Sequence, residues 1–70
     1  MMIKKAVLHS FNSQSYTAVV QLAGSDKSYL EGIAVARNIP AAEMLAGRHA
    51  AVLFFDENSA AEAVMIAVYA

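Results

Sequence analysis

The chain has 70 residues, of which 59% are hydrophobic and 16% are charged, and it contains neither cysteine nor tryptophan. At about 100–200 residues per domain, this length allows one small domain, which we expect to span residues 1–70. Because cysteine and a recognisable zinc-ligand set are absent, we expect neither disulfides nor a structural metal to stabilise it. The formal net charge of -1 argues against binding of nucleic acid by electrostatic attraction.

The beginning of the chain has the charged start of a secretory signal peptide but lacks its apolar segment. Only three apolar residues separate Lys5 from His9, whereas a signal peptide needs about 7–15. The longest uninterrupted apolar run covers residues 63–70, against the roughly 20 residues of a membrane-spanning helix. These observations predict a soluble, cytoplasmic protein that does not act at a membrane.

Clusters of Asn, Asp, Ser and Gly divide the chain into five apolar segments, which is typical of the short strands of a sandwich or barrel. In the second segment, residues 16–22, apolar side chains alternate with more polar ones, the period of a half-buried strand. The first segment, 3–11, and the third, 29–39, alternate less regularly. The fourth, 49–56, is apolar on both faces, which fits a central strand or one that a partner covers.

The fifth segment has two interpretations. Residues 59–62 form a capping-box pattern and alanine favours helices, so a helix over 59–70 packed on a four-stranded sheet is one possibility. Against it, Val64, Ile66 and Val68 alternate, and such a helix would be apolar nearly all round. We therefore predict a strand over about 63–69, preceded by one helical turn.

Between the third and fourth segments, residues 40–47 begin with proline and end with glycine, the asymmetry expected of a short helix. Three strands, a short helix and two further strands form an order that resembles the oligonucleotide/oligosaccharide-binding (OB) barrel, a five-stranded Greek key. The sequence thus predicts a mainly β protein. Its expected fold is a small five-stranded OB-like or SH3-like barrel with one short helix between strands 3 and 4.

Three parts of the sequence, residues 39–47, 52–58 and 64–69, together resemble small bacteriophage tail and baseplate modules. In those modules a glycine-containing turn introduces a valine-rich strand, and a hairpin closes the barrel. The resemblance extends over nearly the whole chain. It implies a structural assembly piece of phage or prophage origin, located in the virion, with no catalytic residues to transfer.

The residues able to carry chemistry form no recognisable catalytic or metal-binding pattern. His9 and His49 are far apart in the sequence, whereas a zinc site needs three or four ligands. Asp56 and Glu57 lie in a turn that we expect to be solvated, and the sequence contains no nucleophile elbow or phosphate-binding loop. We therefore predict that the protein is not an enzyme and uses neither a metal nor a cofactor.

Binding of single-stranded nucleic acid is the alternative function, because OB barrels commonly bind it. Such binding requires a basic groove with aromatic rings on which bases stack. The candidate residues are Tyr16, Lys27, Tyr29 and Arg37. Five basic residues against six acidic ones make a poor electrostatic footprint for phosphate, and the acidic turn at 56–57 would repel it.

The apolar residues are too numerous for one thin core, since a domain of this size buries only about 60% of the surface of its unfolded chain. Contiguous apolar patches that stay exposed usually mark interaction sites, and small alanine faces let another surface approach closely. We therefore predict a non-enzymatic structural or assembly module that forms a homo-oligomer or binds a permanent protein partner. The expected contact residues are Val52, Phe54, Ile66 and Val68.

Overall fold

The structure, a computed structural model, describes residues 1–22, 29–56 and 59–69. Within these ranges the chain forms five strands and two single 3-10 turns. The strands are β1 (Met2–Asn12), β2 (Thr17–Leu22), β3 (Tyr29–Val35), β4 (His49–Phe54) and β5 (Ala63–Tyr69), and the 3-10 turns are Ala41–Glu43 and Ala60–Glu62. In the described part of the chain, no helix is long and apolar enough to cross a membrane.

The five strands close into a barrel in the order β1-β2-β3-β5-β4. Strands β3 and β5 pair in parallel, and the other four pairings are antiparallel. The 11-residue β1 makes closure possible, because its first half pairs with β4 and its second half with β2. The prediction of a mainly β, five-stranded, OB-like barrel is confirmed.

The fifth segment is a strand, β5, preceded by the second 3-10 turn, as predicted. The alternative of a helix over 59–70 is wrong, because β5 pairs with β4 on one side and with β3 on the other. Ala63 and Met65 point into the barrel from β5 and are buried. Closing the barrel satisfies the backbone groups of β5 and of its two neighbours, which a helix packed outside the sheet could not do.

The helix predicted over residues 40–47 is a single 3-10 turn, Ala41–Glu43. Pro40 is extended before it, and Met44 leaves the helical conformation after it, at φ −84° and ψ 67°. The Met44 side chain is buried in the core. Because a helix of fewer than three turns is marginal on its own, burying this side chain decides where the helical conformation ends.

Thirteen apolar residues form the core, and no polar side chain is buried in the described part of the chain. The core residues are Ala6, Leu8, Ala18, Val20, Ile33, Val35, Ile39, Met44, Ala50, Val52, Phe54, Ala63 and Met65. Four of them are alanines, because the interior of a small barrel is narrow and small side chains make room for large ones. Some of the alanines of this sequence are thus core residues rather than surface ones.

Three strands contain an extra residue relative to a neighbouring strand. The extra residues are His9 in β1, one of the pair Glu31 and Gly32 in β3, and Ile66 in β5. Gly32 has a φ of +68°, in the left-handed region that glycine adopts without steric cost. Such bulges bend a strand and increase its twist, which is how a short sheet curls far enough to close.

Candidate functional site

The structure places two of the four predicted contact residues inside the barrel. Val52 is 0% exposed and Phe54 is 4% exposed, so neither can contact a partner, and this part of the prediction is wrong. Val68 is half-buried against the core, and Ile66, at the bulge of β5, is exposed. Because β4 is apolar on both faces, its sequence pattern does not reveal which face points inward.

The opposite face of β4 is the one that faces water. Ala51 and Leu53 alternate with the buried Ala50, Val52 and Phe54. On the two neighbouring strands, the residues opposite Leu53 are Ile3 and Val64, and those opposite Ala51 are Ala67 and the exposed Lys5, which borders the apolar residues. We call this surface the outer apolar face; its residues are Ile3, Ala51, Leu53, Phe55, Val64 and Ala67.

The outer apolar face is a continuous surface rather than a set of scattered side chains. Leu53 lies between Ile3 of β1 and Val64 of β5 in the ladders, and Ala51 lies opposite Ala67 in the next row. Ile3 is 62% exposed and Phe55, just beyond the end of β4, is 57% exposed. Because β4 is apolar on both faces, no signal in its sequence distinguishes this outward face from the inward one.

Of the residues proposed to bind nucleic acid, Tyr16 and Arg37 come together in a contact that holds the fold. The Arg37 guanidinium lies 5.0 Å from the centre of the Tyr16 ring, and the Phe11 ring meets the same tyrosine edge-on at 5.1 Å. The Tyr16 hydroxyl donates a hydrogen bond to the carbonyl oxygen of Ile39. Because Arg37 and Phe11 contact its ring and its hydroxyl is hydrogen-bonded, Tyr16 is not available to stack with a nucleic-acid base.

Tyr29 is not part of that cluster. It pairs with Gln21 at one end of the β2–β3 ladder, whereas Tyr16 precedes the other end. Its ring is 51% exposed and lies 5.0 Å from the ring of His9. Lys27, the fourth candidate, lies outside the described residues. The structure therefore does not bring the proposed stacking residues into one basic groove.

A shallow groove of about 320 Å³ crosses the outer surface of the barrel over β2. We call it the β2 groove; it is lined by Ser10, Phe11, Asn12, Thr17, Ala18, Val19, Glu31 and Gly32. Its charged side chain is a carboxylate, that of Glu31, and no basic residue is among those that line it in the described part of the chain. Such a groove would repel phosphate. A glycine inside a strand often marks a bulge, so Gly32 is the feature of the sequence that could have indicated the β2 groove.

The two histidines lie at separate places on the surface. His9 contacts Tyr29, and the His49 ring stacks on that of Tyr69 at 5.5 Å. Within residues 1–22, 29–56 and 59–69, no three metal-ligating side chains are grouped closely enough to hold an ion. Asp56 is exposed, and Glu57 lies outside the described residues. Of the described residues, His9, His49 and Asp56 belong to no common metal-ligating group.

Comparison of the chain with protein families, with curated proteins and with solved structures finds no match in any of the three. A function must therefore be argued from the surface of the barrel itself. Two parts of that surface carry distinct chemistry, the outer apolar face and the β2 groove.

Proposed function

We propose that the protein is a non-enzymatic structural module that self-associates through its outer apolar face. The observation that carries the proposal is the row of outward apolar side chains Ile3, Leu53 and Val64, with Phe55, Ala51 and Ala67 beside it; Ile3 is 62% exposed and Phe55 is 57% exposed. The charged Lys5 borders this surface next to Ala51. Contiguous apolar surface of this kind on a small domain usually marks an interface.

The shape of the face supports contact with a second copy. Ala51 and Ala67 lie opposite each other in the row next to Leu53, and their small side chains allow the backbone of a partner to approach closely. A standard interface buries about 800 Å² on each partner, roughly a fifth of the 4283 Å² of accessible surface here. In a two-fold dimer the same patch meets itself.

The biological setting of this module is proposed on the resemblance of the sequence to bacteriophage tail and baseplate modules. In such a setting the chain would act as an assembly piece in the virion; without it, we place the protein in the cytoplasm. Neither setting requires a catalytic residue or a cofactor. Genes for other tail proteins beside the gene for this chain would support the first setting, and a neighbourhood without them would contradict it.

Multi-angle light scattering at about 50 µM tests self-association, because dimers with micromolar dissociation constants are populated there. We expect the wild-type protein to be a dimer or larger. Ala67→Glu and Ile3→Glu place a charge in the interface and should yield monomers. Leu45→Glu is the matched control, since Leu45 is 52% exposed but lies outside the face. Circular dichroism shows whether each variant is folded, and a monomeric wild-type protein would contradict the proposal.

Single-stranded nucleic-acid binding is the second candidate, favoured by the exposed ring of Tyr29. A fluorescently labelled oligonucleotide titrated at about 50 mM salt tests it, because phosphate contacts are strongest at low salt. Binding that is weakened by Tyr29→Ala would support this function. The absence of binding under these conditions would exclude it.

A further inference from the structure

The β2 groove is formed where both neighbours of β2 carry their bulges. In β1, His9 is the extra residue between Leu8 and Ser10, which pair with Val20 and Val19. In β3, Glu31 and Gly32 together stand opposite Val19. Because the two flanking strands bend at the same level, the outer surface over β2 becomes concave there. Bulges are common beside binding sites, where they re-aim side chains.

The side chains around this concavity favour a cationic ligand. Glu31 supplies an exposed carboxylate, and the Ser10 hydroxyl supplies a further acceptor oxygen; the Thr17 hydroxyl, also in the lining, shares a hydrogen bond with that of Ser15. Tyr29 stands two residues before Glu31 on the outward side of β3, beyond the residues that line the groove, and its ring is 51% exposed and contacts that of His9. A carboxylate attracts a guanidinium or ammonium group by charge, and an exposed aromatic ring at the margin adds the attraction of its negative face.

We infer that the β2 groove binds an arginine side chain of a partner protein. The guanidinium carries five N–H donors and no acceptor, which matches a carboxylate flanked by hydroxyl oxygens. The aliphatic part of the arginine would lie over Val19, the half-buried floor of the groove. The volume of about 320 Å³ is at the lower end of the range for ligand pockets, which suits one side chain better than a polymer.

Within the molecule, the Arg37 guanidinium lies over the Tyr16 ring at 5.0 Å, an arginine–aromatic contact without a carboxylate. The proposed site is on β1, β2 and β3, away from the outer apolar face. It therefore does not depend on self-association, and each proposal can fail without the other.

Two-dimensional NMR with the ¹⁵N-labelled full chain tests the inference. The probe is acetyl-Gly-Arg-Gly-amide, and the control is the same peptide with citrulline, which keeps the shape of arginine but has no charge. We expect the arginine peptide to shift the amide signals of Val19, Glu31 and Gly32, with a dissociation constant on the order of 1 mM. The citrulline peptide should bind more weakly, by up to about fivefold, as expected when an exposed charge pair is lost.

Variants test whether the arginine peptide binds in the β2 groove or elsewhere on the surface. Glu31→Gln should weaken binding of the arginine peptide by up to about fivefold, and Tyr29→Ala should weaken it by a smaller factor. Glu62→Gln, which removes an exposed carboxylate outside the groove, should leave it unchanged. The same spectra show that each variant is folded. Equal binding of the citrulline peptide, unchanged binding by Glu31→Gln, or no shift at about 10 mM peptide would overturn the inference. So would a neutral oligosaccharide or an oligonucleotide that shifts these amides when the arginine peptide does not.

Discussion

The two sides of this barrel share one interior and differ on the outside. On the side of β4 and β5, the outward residues are apolar and include Ala51 opposite Ala67. On the side of β2 and β3, the polar Thr17, Gln21 and Glu31 lie among the outward residues together with Val19 and Ala34, and two bulges form a groove. The inward residues of both sides are uniformly apolar and buried. Closing the barrel constrains the inner face of every strand, whereas the outer face is free to carry a function.

The two sides also differ in the interactions that connect their strands to the neighbouring loops. On the β2–β3 side, the side chain of Tyr16 links the turn before β2 to the loop after β3, through its hydrogen bond to Ile39 and its contact with Arg37. On the β4–β5 side, the links between described residues include a backbone hydrogen bond from the N–H of Phe55 to the carbonyl oxygen of Glu62, after β4, and the bonds of the Arg48 guanidinium to Glu43, before it. Substitutions outside the core should therefore change the free energy of unfolding by different amounts on the two sides, whereas substitutions inside the core should have similar effects on both.

The largest effect is expected in the core, and it should be equal on the two sides. Ile33 of β3 and Met65 of β5 are both 0% exposed. Ile33→Ala and Met65→Ala should each lower the free energy of unfolding by about 2–5 kcal/mol, because each removes buried methyl groups and leaves a cavity. Urea denaturation followed by circular dichroism measures both. A loss below about 1 kcal/mol for one of them would show that the two sides do not share one core.

A smaller effect is expected at the glycines with positive φ, one near each side. Gly32 is in the bulge of β3 at φ +68°, and Gly47 precedes β4 at φ +94°. A Cβ atom would meet no neighbour at either position, so the cost is that of the backbone conformation. Gly32→Ala and Gly47→Ala should each lower the free energy of unfolding by about 1–2 kcal/mol. Unchanged urea midpoints would mean that these backbone conformations are not required.

Removal of a tyrosine hydroxyl should distinguish the two sides directly. Tyr16→Phe removes the hydrogen bond to Ile39 and should lower the free energy of unfolding by about 1 kcal/mol. Tyr69→Phe, on the β4–β5 side, keeps the ring that stacks on His49 and should change it by less than about 0.5 kcal/mol. Thermal unfolding of the two variants side by side measures the difference. Equal losses would mean that the Tyr16 hydroxyl does not link the loops as described.

The smallest change in stability is expected from paired valine-to-threonine substitutions on the outside. Val64 on the outer apolar face and Val19 in the β2 groove are both half-buried strand residues. Each substitution should alter the free energy of unfolding by less than about 1 kcal/mol, because the new hydroxyl can reach water. Only Val64→Thr should weaken self-association, which sedimentation equilibrium measures. If the two variants self-associate equally, the proposal that only the outer apolar face, and not the β2 groove, takes part in self-association is contradicted.

The elements with a clear period were predictable from local patterns alone. Strand β2 was expected over residues 16–22 and is Thr17–Leu22, and the strand expected over about 63–69 is Ala63–Tyr69. The third segment was less regular and was expected to extend to Ile39, but β3 ends at Val35. The following residues turn back so that Ile39 is buried. A loop residue that enters the core in this way leaves no periodic signal in the sequence.

The outward residues of β4 were not predictable, and the reason is physical. Val52 and Phe54 differ little in hydrophobicity from Leu53 and Phe55, so no polar residue indicates which side of the strand faces water. The ladders with β1 and β5 determine the answer, because they place Val52 opposite Met65 and Leu53 opposite Val64. The β2 groove is also decided by the pairing of strands. It arises from bulges in β1 and β3, which lie on either side of β2 only once β2 has paired with both.

The sequence by itself determined the class of fold, the number of strands and the place of the short helical turns, because turn residues and the alternation of side chains act within a few residues of each other. Only the tertiary structure decided which apolar residues are inside, where the surface is concave and which side chains meet there. Those properties depend on the closure of the barrel and on the register between strands. A shift of one residue in register exchanges the two faces of a strand without altering its sequence.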